Sequence, residues 1–340
     1  MSGAMSTLPT PRGDLSALLL ERLPQDVHNL GPTPPVEPSD PLSDEDLQLA
    51  LYLMYELHYR GLAGVDAEWE WEPSLLRLRR ELEVAVEGSL LAALGPPSQA
   101  PAPDEMDLAL RVVLDESDGP SLSRYIEREA TLEQVLEFMV HRSAYQLKEA
   151  DPHSWGLPRL SGPPKAALVE IQADEYGGGR LERMHAQMFA EALEAVGLDP
   201  TYGAYLEQIP ARTLATVNVL SIFGLHRRWR GALVGHLGVF EMTSSIPNGR
   251  YAAGLRRLGF EGRATAFFDE HVEADAVHEN IAAVDLAGGL ARQEPELARD
   301  VIWGARALVD VEDRWARSLL GAWEAGRSSL RAPLAAAVAA

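Results

Sequence analysis

The sequence predicts an all-α fold, on three observations. Apolar residues recur at helical spacing from about Leu47 to Trp323, no period-2 alternating run of useful length occurs, and there is no internal repeat. At 340 residues the chain suffices for one large domain or two ordinary ones, and 46% hydrophobic content supports a substantial core. The absence of cysteine excludes disulfides, thiolate metal sites, iron–sulfur clusters and thiol nucleophiles. A formal net charge of −21 argues against nucleic acid as a partner, because phosphate contacts need clustered Lys and Arg. No run of about 18 apolar residues is present, so no membrane span is expected. The first residues lack a basic stretch followed by an apolar one, so no secretory signal is expected and the cytoplasm is the default location.

Residues 1–40 are rich in Pro, Ser and Asp and read as a mostly disordered arm, with a helical turn or two at Leu15 to Leu23. Residues 41–103 read as a helical extension. Ser43-Asp-Glu-Asp46 resembles a capping box for a helix through about Tyr59, and a second helix runs from about Ser74 to Leu94. Residues 104–325 form the main body. Helices are expected at Glu105 to Asp115, at Ser121 to Glu129, and from Thr131 as N-cap to about Glu149. A long helix follows from Lys165 to Val196, flawed by Gly177-Gly-Gly179, which cost about 2–3 kcal/mol of helix propensity. Further helices are expected at Ala211 to Leu225 and Trp229 to Ser244, with a turn at Pro247-Asn-Gly249. The last ones run from Tyr251 to Leu258, from Ala264 to about Leu286, interrupted at Gly288-Gly289, and from Glu296 to Trp323. Residues 326–340 read as a frayed Ala-rich tail.

Two segments carry a dense set of metal-ligand types, Glu170 to His185 and Glu270 to Glu279. On a continuous helix Glu182 lies about 20° from Glu175 in projection, and His185 about 60° further round. Asp275 lies about 40° from His271, and His278 about 20° to the other side. Facing stripes of carboxylates and imidazoles are how helix bundles build carboxylate-bridged dimetal sites. With no thiolate available, nitrogen and oxygen donors suit iron or manganese. The duller alternative is an acidic surface with chance histidines, and among 51 acidic residues it applies best to Glu170, Asp174, Glu270, Glu273 and Glu279. It does worse for the histidines, since three of nine fall in register with carboxylates.

The segments Asp174-Glu-Tyr-Gly177 with Glu182 and His185, and Glu270-His-Val-Glu-Ala-Asp-Ala-Val-His278, resemble the haem-oxygenase-like di-iron oxidases, often described as iron-containing redox enzymes. Arg159-Leu160 and Leu225-His-Arg-Arg228 are also similar to that family. The resemblance spans about Leu132 to Trp323. It implies a seven-helix haem-oxygenase-like bundle, here with additional N-terminal helices, holding two Fe(II)/Fe(III) ions in place of haem. Carried over by position, the implied metal ligands are Glu175, Glu182, His185, His271, Asp275 and His278. Glu149 is the early-helix glutamate, with Glu137 as its alternative. The implied division gives Glu149, His185, Asp275 and His278 to one iron, and Glu175, Glu182 and His271 to the other.

The activity this resemblance implies uses O2 as co-substrate and passes through a peroxo-di-iron(III) species. The implied substrates are amino acids, amines or fatty acids, undergoing N-oxygenation, desaturation or carbon–carbon cleavage, and an amine or amino acid as the small-molecule substrate suits the polar residues better than a fatty acid. An external electron donor is implied, and homodimerisation stays open. The rival reading is a non-catalytic iron-binding or iron-handling helical protein. A thiamin-degrading hydrolase of the same fold group needs a cysteine nucleophile, which this chain lacks. His226, His236 and Glu241 read either as partners that orient ligand imidazoles or as satisfied core groups. His141 and His153 read as structural. Tyr176 borders the site, and packing is its expected role. Arg227, Arg228 and Arg230 fit either ion pairs with the acidic body or an anchor for a substrate carboxylate.

Overall fold

Apolar stripes and helix caps decide where each element begins. The computed structural model describes residues 7–98 and 100–334, apart from the side chains of 275–277, and no β-strand occurs among them. Leu15, Leu19 and Leu23 repeat every fourth residue and are buried along α1 (Asp14–Arg22) and just past its end, against α2 (Glu45–Glu56). The N-cap of α2 is Asp44, which accepts from the Leu47 amide at 2.8 Å, one residue beyond the expected Ser43. Of the arm expected to be mostly disordered but able to dock in part, residues 14–23 lie on the body. The arm's compositional bias hides a three-leucine stripe that α2 covers. Pro73 opens α3 (Pro73–Leu94), where its missing N–H costs nothing.

The main body begins with α4 (Met106–Asp115), α5 (Leu122–Arg128) and α6 (Leu132–Gln146), the last capped reciprocally by Thr131 and Gln134. After a short turn of helix, α7 (Asp151–Ser154), come α8 (Gly162–Glu175) and α9 (His185–Ala195). Then follow α10 (Ala211–Leu225), α11 (Arg230–Met242), α12 (Ser245–Arg257) and α13 (Arg263–Asn280). A π-helical stretch, Ile281–Gly288, joins α13 to α14 (Gly289–Gln293), and α15 (Ala298–Glu324) closes the bundle. The backbones of α11 and α15 nearly touch. A Cβ on Gly235 would fall 1.8 Å from the Val301 carbonyl oxygen, and one on Gly304 would fall 2.1 Å from that of Ala232. No helix among the described residues is long and apolar enough to cross a membrane.

Several expected boundaries differ. Pro247-Asn-Gly249 lies inside the start of α12 rather than in a turn, because proline is tolerated where a helix's first N–H groups have no intrahelical acceptor. Gly288 and Gly289 continue the helical path through the π segment instead of breaking it. The tail docks rather than frays over 328–330. Glu137 accepts from Trp323 Nε1 at 2.7 Å, the Ser329 amide at 2.8 Å and the Ser329 hydroxyl at 2.6 Å, and Leu330 is buried.

Two buried imidazoles set an acid limit on this fold. His141 lies between the hydroxyls of Thr213 (2.6 Å) and Ser329 (3.0 Å), and His153 faces His236 at 3.1 Å. Burial pulls both rings down to about 3 from 6.5. The unfolded chain therefore binds more protons between those limits. Stability is full above about pH 6.5 and is lost as pH falls toward about 3, by a few kcal/mol per ring at most. Urea midpoints should drop steadily across that window, and His141→Gln, which cannot protonate, should flatten the slope. An unchanged slope in the variant would contradict this.

Candidate metal centre

The glycine triplet decides how the first ligand segment folds. Gly177, Gly178 and Gly179 take φ of 64°, 61° and 79°, values that favour glycine, so the helix expected from Lys165 to Val196, with its flaw at these glycines, ends at Glu175 and restarts at His185. A Cβ on Gly177 would meet the Arg183 backbone at 2.5 Å, so only glycine lets the chain double back this tightly. The reversal brings His185 Nδ1 to 2.9 Å from Glu175 Oε2. It also carries Glu182 outward. Glu182 sits exposed on a 3-10 turn, Leu181–Arg183, outside the buried cluster, because the helical projection that aligned it with Glu175 no longer applies.

Four buried residues converge: Glu149, Glu175, His185 and His271 each place a donor atom within 4.8 Å of the others. A second buried group, Glu175, Glu241 and His278, meets the same limit. Glu175 belongs to both. This grouping differs from the expected division between two metals: His271 lies with Glu149 and His185, whereas His278 lies with Glu241. Asp275 stands on α13 between the two histidines, and its side chain lies outside the described residues. Glu149, expected at the end of a helix, sits instead in the turn after α6, followed by Ala150 at φ 71°. Glu137 clamps the tail and takes no part in the cluster.

Ring orientation is set from outside the cluster. His271 Nδ1 lies 2.7 Å from the Phe267 carbonyl oxygen, which makes it the N–H side and turns Nε2 toward Glu149 Oε1 at 3.6 Å. His278 Nε2 lies 3.1 Å from Asp174 Oδ2, which turns Nδ1 toward Glu241 Oε2 at 3.4 Å and Glu175 Oε1 at 3.8 Å. Carbonyl and carboxylate partners of this kind orient metal-binding imidazoles. Burial pushes the Glu175 carboxyl up, but His185, His271 and His278 outweigh it and hold the group down at about 2. Burial raises Glu149, and His271 offsets only part of that. Burial pulls His185 down, yet Glu175 brings it above its ordinary value.

These residues fit a pair of divalent cations. Glu149 Oε2 is buried without a hydrogen-bond partner among the described residues, which is costly for a carboxylate unless a cation meets it. Three carboxylates and three imidazoles, with no sulfur, form a donor set suited to iron or manganese.

Against this geometry, a family model described as iron-containing redox enzyme matches residues 136–313, just over half of the chain and every clustered residue. The chain belongs to the iron-containing redox enzyme family. Its all-α bundle is haem-oxygenase-like, as the sequence resemblance implied. No curated protein matches the chain. Helices α1 to α5 of this iron-containing redox enzyme lie outside the matched residues. The motifs Arg159-Leu160 and Leu225-His-Arg-Arg228 meet in space: Arg159 donates to the carbonyls of Gly224 and Leu225 (2.7 Å for the latter), satisfying the end of α10.

Among the other polar residues, Glu241 was legible in the sequence only as a lone carboxylate in the apolar stretch that forms α11. His236 instead pairs with His153, and His226 with Glu83 at 2.8 Å. Tyr176 bonds Asp151 and Ser154, each at 2.9 Å. Arg228 pairs with Glu87 and Arg230 with Glu294, so both are engaged by protein carboxylates. Glu241→Gln should lower the metal content of loaded protein, whereas Glu182→Gln should leave it unchanged. Elemental analysis of the two variants checks this, and the reverse pattern would mean that the cluster has been drawn around the wrong carboxylate.

Proposed function

We propose that this member of the family is an O2-dependent, non-haem di-iron oxidoreductase acting on a small organic substrate. The observation that carries the reading is Glu175, a buried carboxylate shared by two donor groups, one completed by Glu149, His185 and His271 and the other by Glu241 and His278. A shared carboxylate lets two cations sit close together while neutralising part of their charge. When bound, the iron pair supplies the redox chemistry that activates O2. The chain's own residues hold the imidazoles in one orientation through Phe267 and Asp174, and surround the cluster with buried groups that exclude bulk water. Electrons come from an external donor.

A cavity of about 370 Å³ supports a catalytic role over iron handling alone. Its lining includes Gln146, Phe189, Phe240 and Phe268, each within about one helical turn along the chain of a clustered residue. An amine or amino-acid substrate, oxidised at nitrogen or carbon, suits this mixed polar and aromatic lining. The test is anaerobic iron loading with metal counted per chain, followed by mixing with O2 in a stopped-flow spectrometer. The reading expects two irons per chain and a transient visible absorption that depends on O2. Less than one iron per chain with no such absorption contradicts it.

A further inference from the structure

We propose that this cavity, whose lining includes residues within about one helical turn of clustered ones, selects a carboxylate-bearing small molecule with an aromatic or bulky apolar body, and that Arg250 is the residue that binds the carboxylate. This rests on the reading above that an organic substrate is consumed at the metal centre. The walls supply the apolar part. Phe138, Phe240, Phe268, Tyr251 and Trp315 all line the cavity, with Phe138 and Tyr251 packed at 4.5 Å between ring centroids.

The charged lining residues differ in what they have left to offer. Arg142 is satisfied: it makes a two-pronged pair with Glu312 (3.1 and 2.9 Å) and lies 4.1 Å over the Trp315 ring. That pair also removes Glu312 as a site for a substrate cation. Asp313 accepts from the Ser117 hydroxyl at 2.8 Å. Arg250, by contrast, donates to the Ser123 hydroxyl at 3.3 Å and has no carboxylate within ion-pair distance among the described residues. It is half-buried, so its charge is less screened than a surface one.

A second feature points the same way. Arg250 rises from the first turns of α12, a 13-residue helix whose N-terminal end carries no side-chain cap. Ser244, Pro247 and Asn248, from that end, line the cavity. The positive end of the helix and the guanidinium thus favour an anion together. A guanidinium fork matches a carboxylate's two oxygens, which a simple amine or alcohol cannot offer.

The test uses the full chain, loaded with iron and kept anaerobic so that nothing turns over. Phenylpropionate, phenylpropanol and phenylpropylamine are titrated by calorimetry and by tryptophan fluorescence, with iron counted in the same samples. Phenylpropionate should bind at least about tenfold more tightly than the other two. Arg250→Gln should bring it to the level of the alcohol while leaving alcohol binding unchanged, which shows the cavity intact. Arg250→Lys should recover part of the preference. No binding by any probe, equal binding of acid and alcohol, or an acid preference that survives Arg250→Gln overturns the proposal. Acid-selective binding in protein that holds no iron would leave this proposal standing while refuting the di-iron reading. Two irons per chain with no acid selectivity would do the reverse.

Discussion

Glu175→Gln should take iron-loaded protein from two irons per chain to fewer than one. Glutamine keeps the volume and one oxygen but loses the charge, and Glu175 is the donor common to both buried groups. Changing His271 or His185 should weaken the group that contains Glu149, and changing His278 or Glu241 the other. The shared carboxylate has no such partition. Its loss should exceed the roughly 10–100-fold in affinity that outer partners of metal ligands cost. The measurement is iron per chain after anaerobic loading and desalting, with circular dichroism as a check on folding. A folded Glu175→Gln protein that keeps two irons would remove the shared carboxylate from the account.

Lys148→Ala should destabilise the fold by about 3–5 kcal/mol, the usual consequence of leaving one member of a buried ion pair alone. Lys148 and Glu56 are each 1% exposed or less and are bonded to one another. Lys148 Nζ also lies 4.3 Å from the Tyr59 ring and 4.9 Å from that of Tyr52, and Glu56 accepts from the Tyr202 hydroxyl at 2.6–2.7 Å. The pair ties α2, outside the family match, to the turn that carries Glu149. Arg60 adds a bond to the Leu147 carbonyl at 2.7 Å, and Gln172 one to the Ala150 carbonyl at 3.1 Å. These bonds hold Ala150 at φ 71°, a strained value for a residue with a Cβ. Lys148→Met combined with Glu56→Gln should recover much of the loss, because no net charge then stays buried. Denaturant unfolding of the single and double variants decides it. A Lys148→Ala protein as stable as the parent would mean that the pair is not what fixes the turn.

The sequence was informative where local physics decides the structure. Pro73, Thr131 and the apolar run Ala211 to Leu225 marked helix ends within a residue or two, because caps and apolar stripes act over one or two turns. It was less informative where one element's meaning depends on another. The glycine triplet was visible as a flaw, but not the reversal that separates Glu182 from His185, since that follows from the packing of Gly177 on residues 183–184. Glu241 gave little signal within an apolar helix. Its position beside His278 depends on how α11 crosses α13. His271 and His278 share one helix, so their spacing was enough to group them. The resemblance already gave them to different irons, but which carboxylates meet each ring depends on what the turn after α6, α8 and α11 bring up to them.

Two metals on either side of Glu175 should be visible in a loaded crystal. Anomalous diffraction at the iron edge from anaerobically loaded crystals tests this most directly. Two iron peaks are expected, one bonded to Glu149, His185 and His271, the other to His278 and Glu241, with Glu175 between them. A single peak, or iron bound away from Glu175, would contradict this.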